Sequence, residues 1–285
     1  MPPEGHESRA YARCPIGFNS ENELIATYRI RVTNDLSTRG RVMTKLQSNQ
    51  EWIFWGKHDP MFAVATLPGK QVGGKAPWTV EELLEMGRMY FADVYQQWRQ
   101  YGVGSEHCVE IGCGSGRITR QLCSNFHRVS GIDVSPEQLQ TARQLWGESV
   151  ENATLILVAE PALPFPDFSC DAVFSCEVFQ HFDDDRPLRA YLQEAYRILI
   201  SGGTICFQLP VRGLHSATLL SSTARNLLLR ILRQLGRRRM MVYRQYKAES
   251  VFEMLTQTGF EDIEMRIFHA SQQQGFHAYF LSRKP

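Results

Sequence analysis

The sequence predicts a doubly wound α/β protein: a mostly parallel sheet with helices on both faces. Three observations point there. After Ser105, short apolar runs alternate with segments of helical spacing, the pattern of a parallel sheet covered on both sides. The first run leads into a glycine-rich turn, Gly112-Cys113-Gly114-Ser115-Gly116, that opens a helix-patterned segment. The second run ends in an acid, Asp133. A turn and an acid at the carboxyl ends of neighbouring strands are where such sheets bind nucleotide-like ligands.

The elements follow in order. Residues 20–50 read as a polar helical lead-in. Glu51 to Tyr101 is rich in aromatic residues, among them Trp52, Trp55 and Phe62. A helix is expected over Thr79–Gln100, with Thr79 as N-cap and Glu82 in the capping-box position. Its Leu83, Met86, Tyr90, Phe91 and Val94 recur at helical spacing. Strands are expected at His107–Ile111, Arg128–Ile132, Thr154–Val158, Ala172–Ser175 and Thr204–Leu209. Helices are expected at Gly116–Ser124, Pro136–Trp146 and Pro187–Leu199. The start Ser135-Pro136-Glu137-Gln138 combines an N-cap, a proline at the first helical position and a capping-box glutamine.

Composition excludes little but bounds the class. The chain has 285 residues, 43% hydrophobic and 21% charged, with a net charge of +1, which fits an ordinary packed core. The first twenty residues lack the apolar run of a signal peptide. No stretch approaches the roughly 18 apolar residues of a membrane span. The seven cysteines form no C-x-x-C pair, so they read as buried thiols in a reducing compartment, and the cytoplasm is the expected location.

The turn has G-x-G-x-G spacing, not the G-x-G-x-x-G of dinucleotide binders, and no P-loop is present. A nicotinamide-dependent oxidoreductase is therefore disfavoured. A carboxylate at Asp133 can accept hydrogen bonds from both hydroxyls of a ribose.

With these residues in view, the chain resembles the class I S-adenosylmethionine-dependent methyltransferases, in particular the small-molecule type-11-like group. Val109–Gly116 is similar to their first motif and Gly131-Ile132-Asp133 to their ribose-binding acid. Ala159 to Pro166 resembles their third-strand exit, although Glu160 stands where an aspartate is usual. Phe168 to Ser175, Ser201-Gly202-Gly203 and Gly259-Phe260 resemble later family segments. The resemblance implies a Rossmann-like sheet of seven strands, the last antiparallel, and S-adenosylmethionine as cofactor. It implies a cofactor set of Glu110, Gly112, Cys113, Gly114, Gly116, Asp133, Val134, Glu160, Pro161, Cys176 and Glu177.

Acceptor chemistry rests on other parts. His181, just past the fourth expected strand, is the best candidate for a general base, or else a wall of the active site. Gln180 precedes it. Trp52, Trp55, His58 and Phe62 are candidates for an acceptor pocket, or for a layer packed on the sheet. Asp183-Asp184-Asp185 reads as a solvated helix start, so no metal is expected.

Residues 211–248 hold Arg212, Arg225, Arg230, Arg233, Arg237, Arg238, Arg239, Arg244 and Lys247 and no acid. Leu227, Leu228, Ile231, Leu232 and Leu235 make this an expected amphipathic basic helix. It would serve as a lid for an anionic acceptor, as a membrane- or RNA-facing surface, or as a solvated face. Thin aromatic interleaving weakens the RNA reading.

The expected organisation is a helical cap over residues 1–104 and a methyltransferase domain over 105–285, with 211–248 as a helical lid. The expected activity is O-methylation of a small metabolite, glycoside or lipid-like acceptor. An RNA or protein methyltransferase, or a catalytically silent partner subunit, are the alternatives.

Overall fold

The computed structural model describes residues 24–30, 47–146, 150–212, 243–270 and 275–285. The basic segment expected to form a lid lies largely outside the described residues.

Among the described residues, nine strands form one sheet: β1 (Leu24–Ile30), β2 (His107–Ile111), β3 (Arg128–Asp133), β4 (Ala153–Leu157), β5 (Cys170–Ser175), β6 (Leu199–Arg212), β7 (Tyr246–Lys247), β8 (Glu261–Ala270) and β9 (Gly275–Arg283). Their order is β1-β8-β9-β6-β5-β2-β3-β4, with the two-residue β7 beside β6. Strands β2 to β6 pair in parallel, while β9 runs antiparallel to both β6 and β8. The seven-strand frame with one reversed strand is therefore present, and β1 and β7 are added to it.

The helices are α1 (Gln47–His58), α2 (Pro60–Val64), α3 (Val80–Tyr101), α4 (Thr119–Cys123), α5 (Pro136–Trp146), α6 (Arg186–Ile198) and α7 (Ala248–Thr258). Alternate strand residues serve opposite faces, as the two-residue period of a strand requires. Val109, Val173, Ile205 and Phe280 pack with Leu188 and Leu192 of α6 and Val251 and Leu255 of α7. Their neighbours Cys108, Phe174, Cys206 and Leu281 pack with Phe91, Val94 and Trp98 of α3. Trp98 is fully buried and its indole N–H donates to Thr204 Oγ1 at 2.9 Å.

Two expectations need correction. The lead-in over residues 20–50 is not helical throughout: Leu24–Ile30 is a strand, paired antiparallel with β8, so part of the segment expected as a helical cap joins the sheet. The segment LIATYRI is rich in β-branched and aromatic types, and β8 would otherwise present an unpaired edge. The helix expected from Gly116 begins only at Thr119. Gly116 has φ 76, outside helical geometry, so the turn must finish before the helix starts.

Local signals elsewhere are met. Thr79 and Glu82 form a reciprocal capping box, and Gly102 closes α3 in the left-handed conformation. Ser135 Oγ accepts from Gln138 N, but the Gln138 amide turns away from the cap and donates to Pro60 O. That bond ties α5 to α2. All six described cysteines are free, five of them buried. Burial pushes the Cys123 and Cys170 thiols up to about 12.

Candidate active site

A cavity of about 470 Å³ opens at the carboxyl ends of β2, β3 and β5, within the size range of small-molecule sites. Strand β2 has β3 on one side and β5 on the other, so this is the topological switch point, where the loops leave in opposite directions.

The glycine turn forms one wall. Gly112 has φ 76, and a Cβ there would come within 2.2 Å of Val178 Cγ2; only glycine fits both the backbone and the space. Gly112, Cys113 and Gly114 line the cavity. Gly116 does not. A Cβ on it would meet the Trp146 ring at 2.2 Å, and its carbonyl accepts from Trp146 Nε1. Gly116 is a packing glycine that lets α5 approach the turn.

Asp133 joins the turn to β3. Its carboxylate accepts from Gly114 N and Ser135 N, both at 2.9 Å. Burial raises its affinity for a proton, and these backbone donors oppose that. Val134 and Ile132 continue the same wall.

Glu110 is 3% exposed, and its Oε2 is buried without a hydrogen-bond partner. Desolvation lifts the carboxyl to about 7, partly offset by the Thr119 hydroxyl and then by the Arg117 guanidinium. Arg117 is itself buried, lines the cavity, and leaves Nη1 without a partner. An unsatisfied acid and an unsatisfied cation on one wall are costly unless a ligand completes them. Together they complement a zwitterionic α-amino acid, and beside the Asp133 carboxylate they fit S-adenosylmethionine.

Past β5 the backbone makes a strained step at Glu177, with φ 61. Such a conformation in a residue other than glycine clusters at functional sites. Cys176, Glu177, Gln180 and His181 all line the cavity. Gln180 Nε2 donates to Glu177 Oε2 at 2.7 Å. His181 sits in a short 3-10 turn, Phe179–His181, with its ring edge-on to Trp52. Trp52 and Asn49 of α1 also line the cavity, and Asn49 Nδ2 donates to Ala159 O at 2.6 Å.

Several expected residues lie elsewhere. Glu160 and Pro161, both half-buried, are not on the described cavity wall, where Val158 stands instead. Trp55, Phe62 and His58 are also absent from it. Trp55 packs against Phe62 and Phe54, and the exposed His58 stacks on Phe54 and bonds its carbonyl. Of that group only Trp52 reaches the cavity. The acids before α6 are engaged by cations, Asp184 by Arg186 and Asp185 by Arg244.

Sequence reading missed Arg117, Tyr90 and Tyr243, which line the cavity. Arg117 had a signal, since it directly follows the glycine turn. Tyr243 had none, because it is far from every motif.

Comparison with known proteins agrees with the fold. Residues 109–207 match a family model described as a methyltransferase domain. Residues of this chain are 33% identical over 104 positions to the O-methyltransferase resE of Aspergillus sclerotiorum, covering 35% of this chain and 38% of that protein. They are 34% identical over 113 positions to a malonyl-acyl-carrier protein O-methyltransferase of Serratia marcescens, covering 38% and 42%. Among solved structures, the N-methyltransferase NodS of Bradyrhizobium japonicum, with bound S-adenosylhomocysteine, aligns at a TM-score of 0.56 and 18% identity over 84% of this chain and 98% of its own. The cyclase SpnF aligns at 0.58 and 18% over 87% and 99%.

Residues 109–207 are similar to a methyltransferase domain, and the chain shares its fold with a methyltransferase solved with S-adenosylhomocysteine bound. The matched segment spans about two fifths of each of those two curated relatives, and a cyclase shares the fold, so the acceptor has to be argued from the site. No described helix is long and apolar enough to cross a membrane.

Proposed function

We propose that this protein transfers a methyl group from S-adenosylmethionine to an oxygen of a small acceptor: a metabolite, a glycoside or the end of a lipid-like molecule. The observation that carries the donor half is the pair of unsatisfied buried groups, Glu110 Oε2 and Arg117 Nη1, on the cavity wall. The bound cofactor supplies a sulfonium methyl open to in-line displacement.

The chain's residues then divide the work. Asp133 accepts from the ribose hydroxyls while two backbone amides hold it in place. Glu110 takes the ammonium of the methionine part and Arg117 its carboxylate. Cys113, Val134, Ile132 and Val158 give an apolar flank. Trp52, Tyr90, Met86 and Tyr191 narrow the remainder of the cavity, excluding water and holding the acceptor near attack geometry.

A cavity of this size supports a small acceptor rather than a folded macromolecule. The names of the O-methyltransferase relatives support oxygen as the methylated atom.

Calorimetric titration with S-adenosylmethionine, and with NADH in parallel, tests the reading. Binding of the first alone, at about micromolar affinity and lost in Asp133→Ala, is expected. Absence of that binding would overturn it. Methyl-transfer screening of alcohols, phenols and carboxylic acids then identifies the acceptor.

A further inference from the structure

A buried chain of hydrogen bonds joins two points on the cavity wall. Cys176 and Tyr243 both line the cavity. Cys176 Sγ donates to Gln208 Oε1 at 3.4 Å, Gln208 Nε2 meets His277 Nδ1, and Tyr243 Oη lies 2.8 Å from His277 Nε2. Gln208 is 1% and His277 0% exposed.

The chain has one consistent polarity. Burial pushes the Cys176 thiol up, so it remains S–H and must find an acceptor, the amide oxygen of Gln208. The amide nitrogen is a donor only, so His277 Nδ1 must accept. Desolvation lowers the basicity of His277, which keeps the imidazole neutral with its proton on Nε2. That proton is donated to Tyr243 Oη, and the phenol proton of Tyr243 is directed away from His277.

Glu177 faces the same group. It lines the cavity, its backbone is held in the left-handed region at φ 61, and its carboxylate is fixed by Gln180. Its charge acts on both Tyr243 and His277. Arg117 is the sole Lys or Arg among the described lining residues, and its charge acts on Glu110.

We propose that Tyr243 and Glu177 form a hydroxyl subsite: Tyr243 donates a hydrogen bond to the acceptor oxygen, Glu177 takes its proton, and the acceptor is a neutral alcohol or phenol. This rests on the methyl-transfer reading above. In the transfer, the acceptor oxygen forms the new C–O bond and the methyl–sulfur bond breaks with its electron pair left on sulfur. The hydroxyl proton passes to the Glu177 carboxylate, so the sulfonium and carboxylate charges disappear together. A carboxylate acceptor would instead bring a second anion beside Glu177.

Two measurements test this. In the ligand-free protein, ¹⁵N NMR of the histidine rings, with the signal assigned by its loss in His277→Asn, should find His277 as the neutral Nε2–H tautomer. An Nδ1–H tautomer would reverse the chain and overturn the proposal. Protein saturated with S-adenosylhomocysteine is then titrated with phenol, benzoate and anisole as probes. Phenol should bind about tenfold more tightly than either other probe, and about tenfold more weakly in Tyr243→Phe and Glu177→Gln. Benzoate binding above phenol, or phenol binding unchanged in Tyr243→Phe, would overturn the subsite. Failure of S-adenosylhomocysteine itself to bind would overturn the donor reading instead.

Discussion

Trp52 stands edge-on to His181, with ring centroids 4.6 Å apart and an interplanar angle of 68°. The contact joins α1 to the turn after β5 and fixes the imidazole as part of the wall. It also bears on His181 as a base. With Glu177 taking the acceptor proton, His181→Ala should reduce kcat only a few-fold, not by the 10²–10⁴ typical of a lost general base. Steady-state methyl transfer with an acceptor from the screen checks this, and Trp52→Ala should act mainly on KM.

The buried Glu110 predicts a pH signature. Its carboxyl is raised from 4.5 to about 7 by desolvation, so the folded, ligand-free protein holds this proton more tightly than the unfolded chain. The resulting stability is fully present below about pH 4.5 and is lost as pH rises through about 7. Glu110→Gln should therefore exceed the wild type in stability near pH 8 by up to about 3 kcal/mol, with the difference vanishing in acid. Denaturant unfolding across that range reads it.

Donor binding should move the other way. An ammonium placed at Glu110 favours the ionised form, so affinity for S-adenosylhomocysteine should rise as pH passes upward through about 7. The Glu110→Gln protein should bind more weakly and lose that slope. Calorimetry at matched ionic strength distinguishes the two curves, and an unchanged slope would count against the ammonium contact.

Asp133→Asn keeps the shape but removes the charge from a group that holds Gly114 N and Ser135 N. Loss of charge-assisted bonds to the ribose should weaken S-adenosylhomocysteine binding by about 1.5–3 kcal/mol, roughly ten- to a hundredfold or somewhat more. Thermal unfolding should also show a loss, because Gly114 N and Ser135 N donate to different carboxylate oxygens and the Asn amide nitrogen can accept from neither.

Gly112→Ala places a methyl 2.2 Å from Val178 Cγ2 on a backbone at φ 76. A loss of roughly 2–4 kcal/mol is expected from overpacking and conformational strain together. Adding Val178→Ala should restore the steric part and leave about 1 kcal/mol of strain. A double mutant no better than the single would mean that the contact is not what forbids a side chain there.

Much of the frame was legible locally. His107–Ile111 and Pro136–Trp146 were expected at the bounds observed, because apolar runs, an N-cap and a proline at the first helical position act within a few residues of themselves. Gly112, Gly114 and Asp133 were legible for the same reason: turn and acid sit at strand ends that the alternating pattern already locates. Strand β1 was not: its segment LIATYRI has the β-branched and aromatic content of a strand, but its partner β8 lies more than two hundred residues away, and local composition does not record that pairing. Gly116 belonged to the motif by spacing, yet its use is set by Trp146 of another helix.

The sequence by itself determined the parallel sheet, its glycine turn and the acid at the end of β3, because periodicity and backbone conformation are short-range properties. The tertiary structure decided which side chains meet. It turned Trp52 toward the cavity and left Trp55, Phe62 and His58 outside its described wall, and it set Arg117 beside Glu110. It also joined Cys176, Gln208, His277 and Tyr243, four residues of no common motif, into one buried chain. Burial is the reason: unpaired polar groups removed from water must find partners wherever the fold brings them, and no local pattern records that choice.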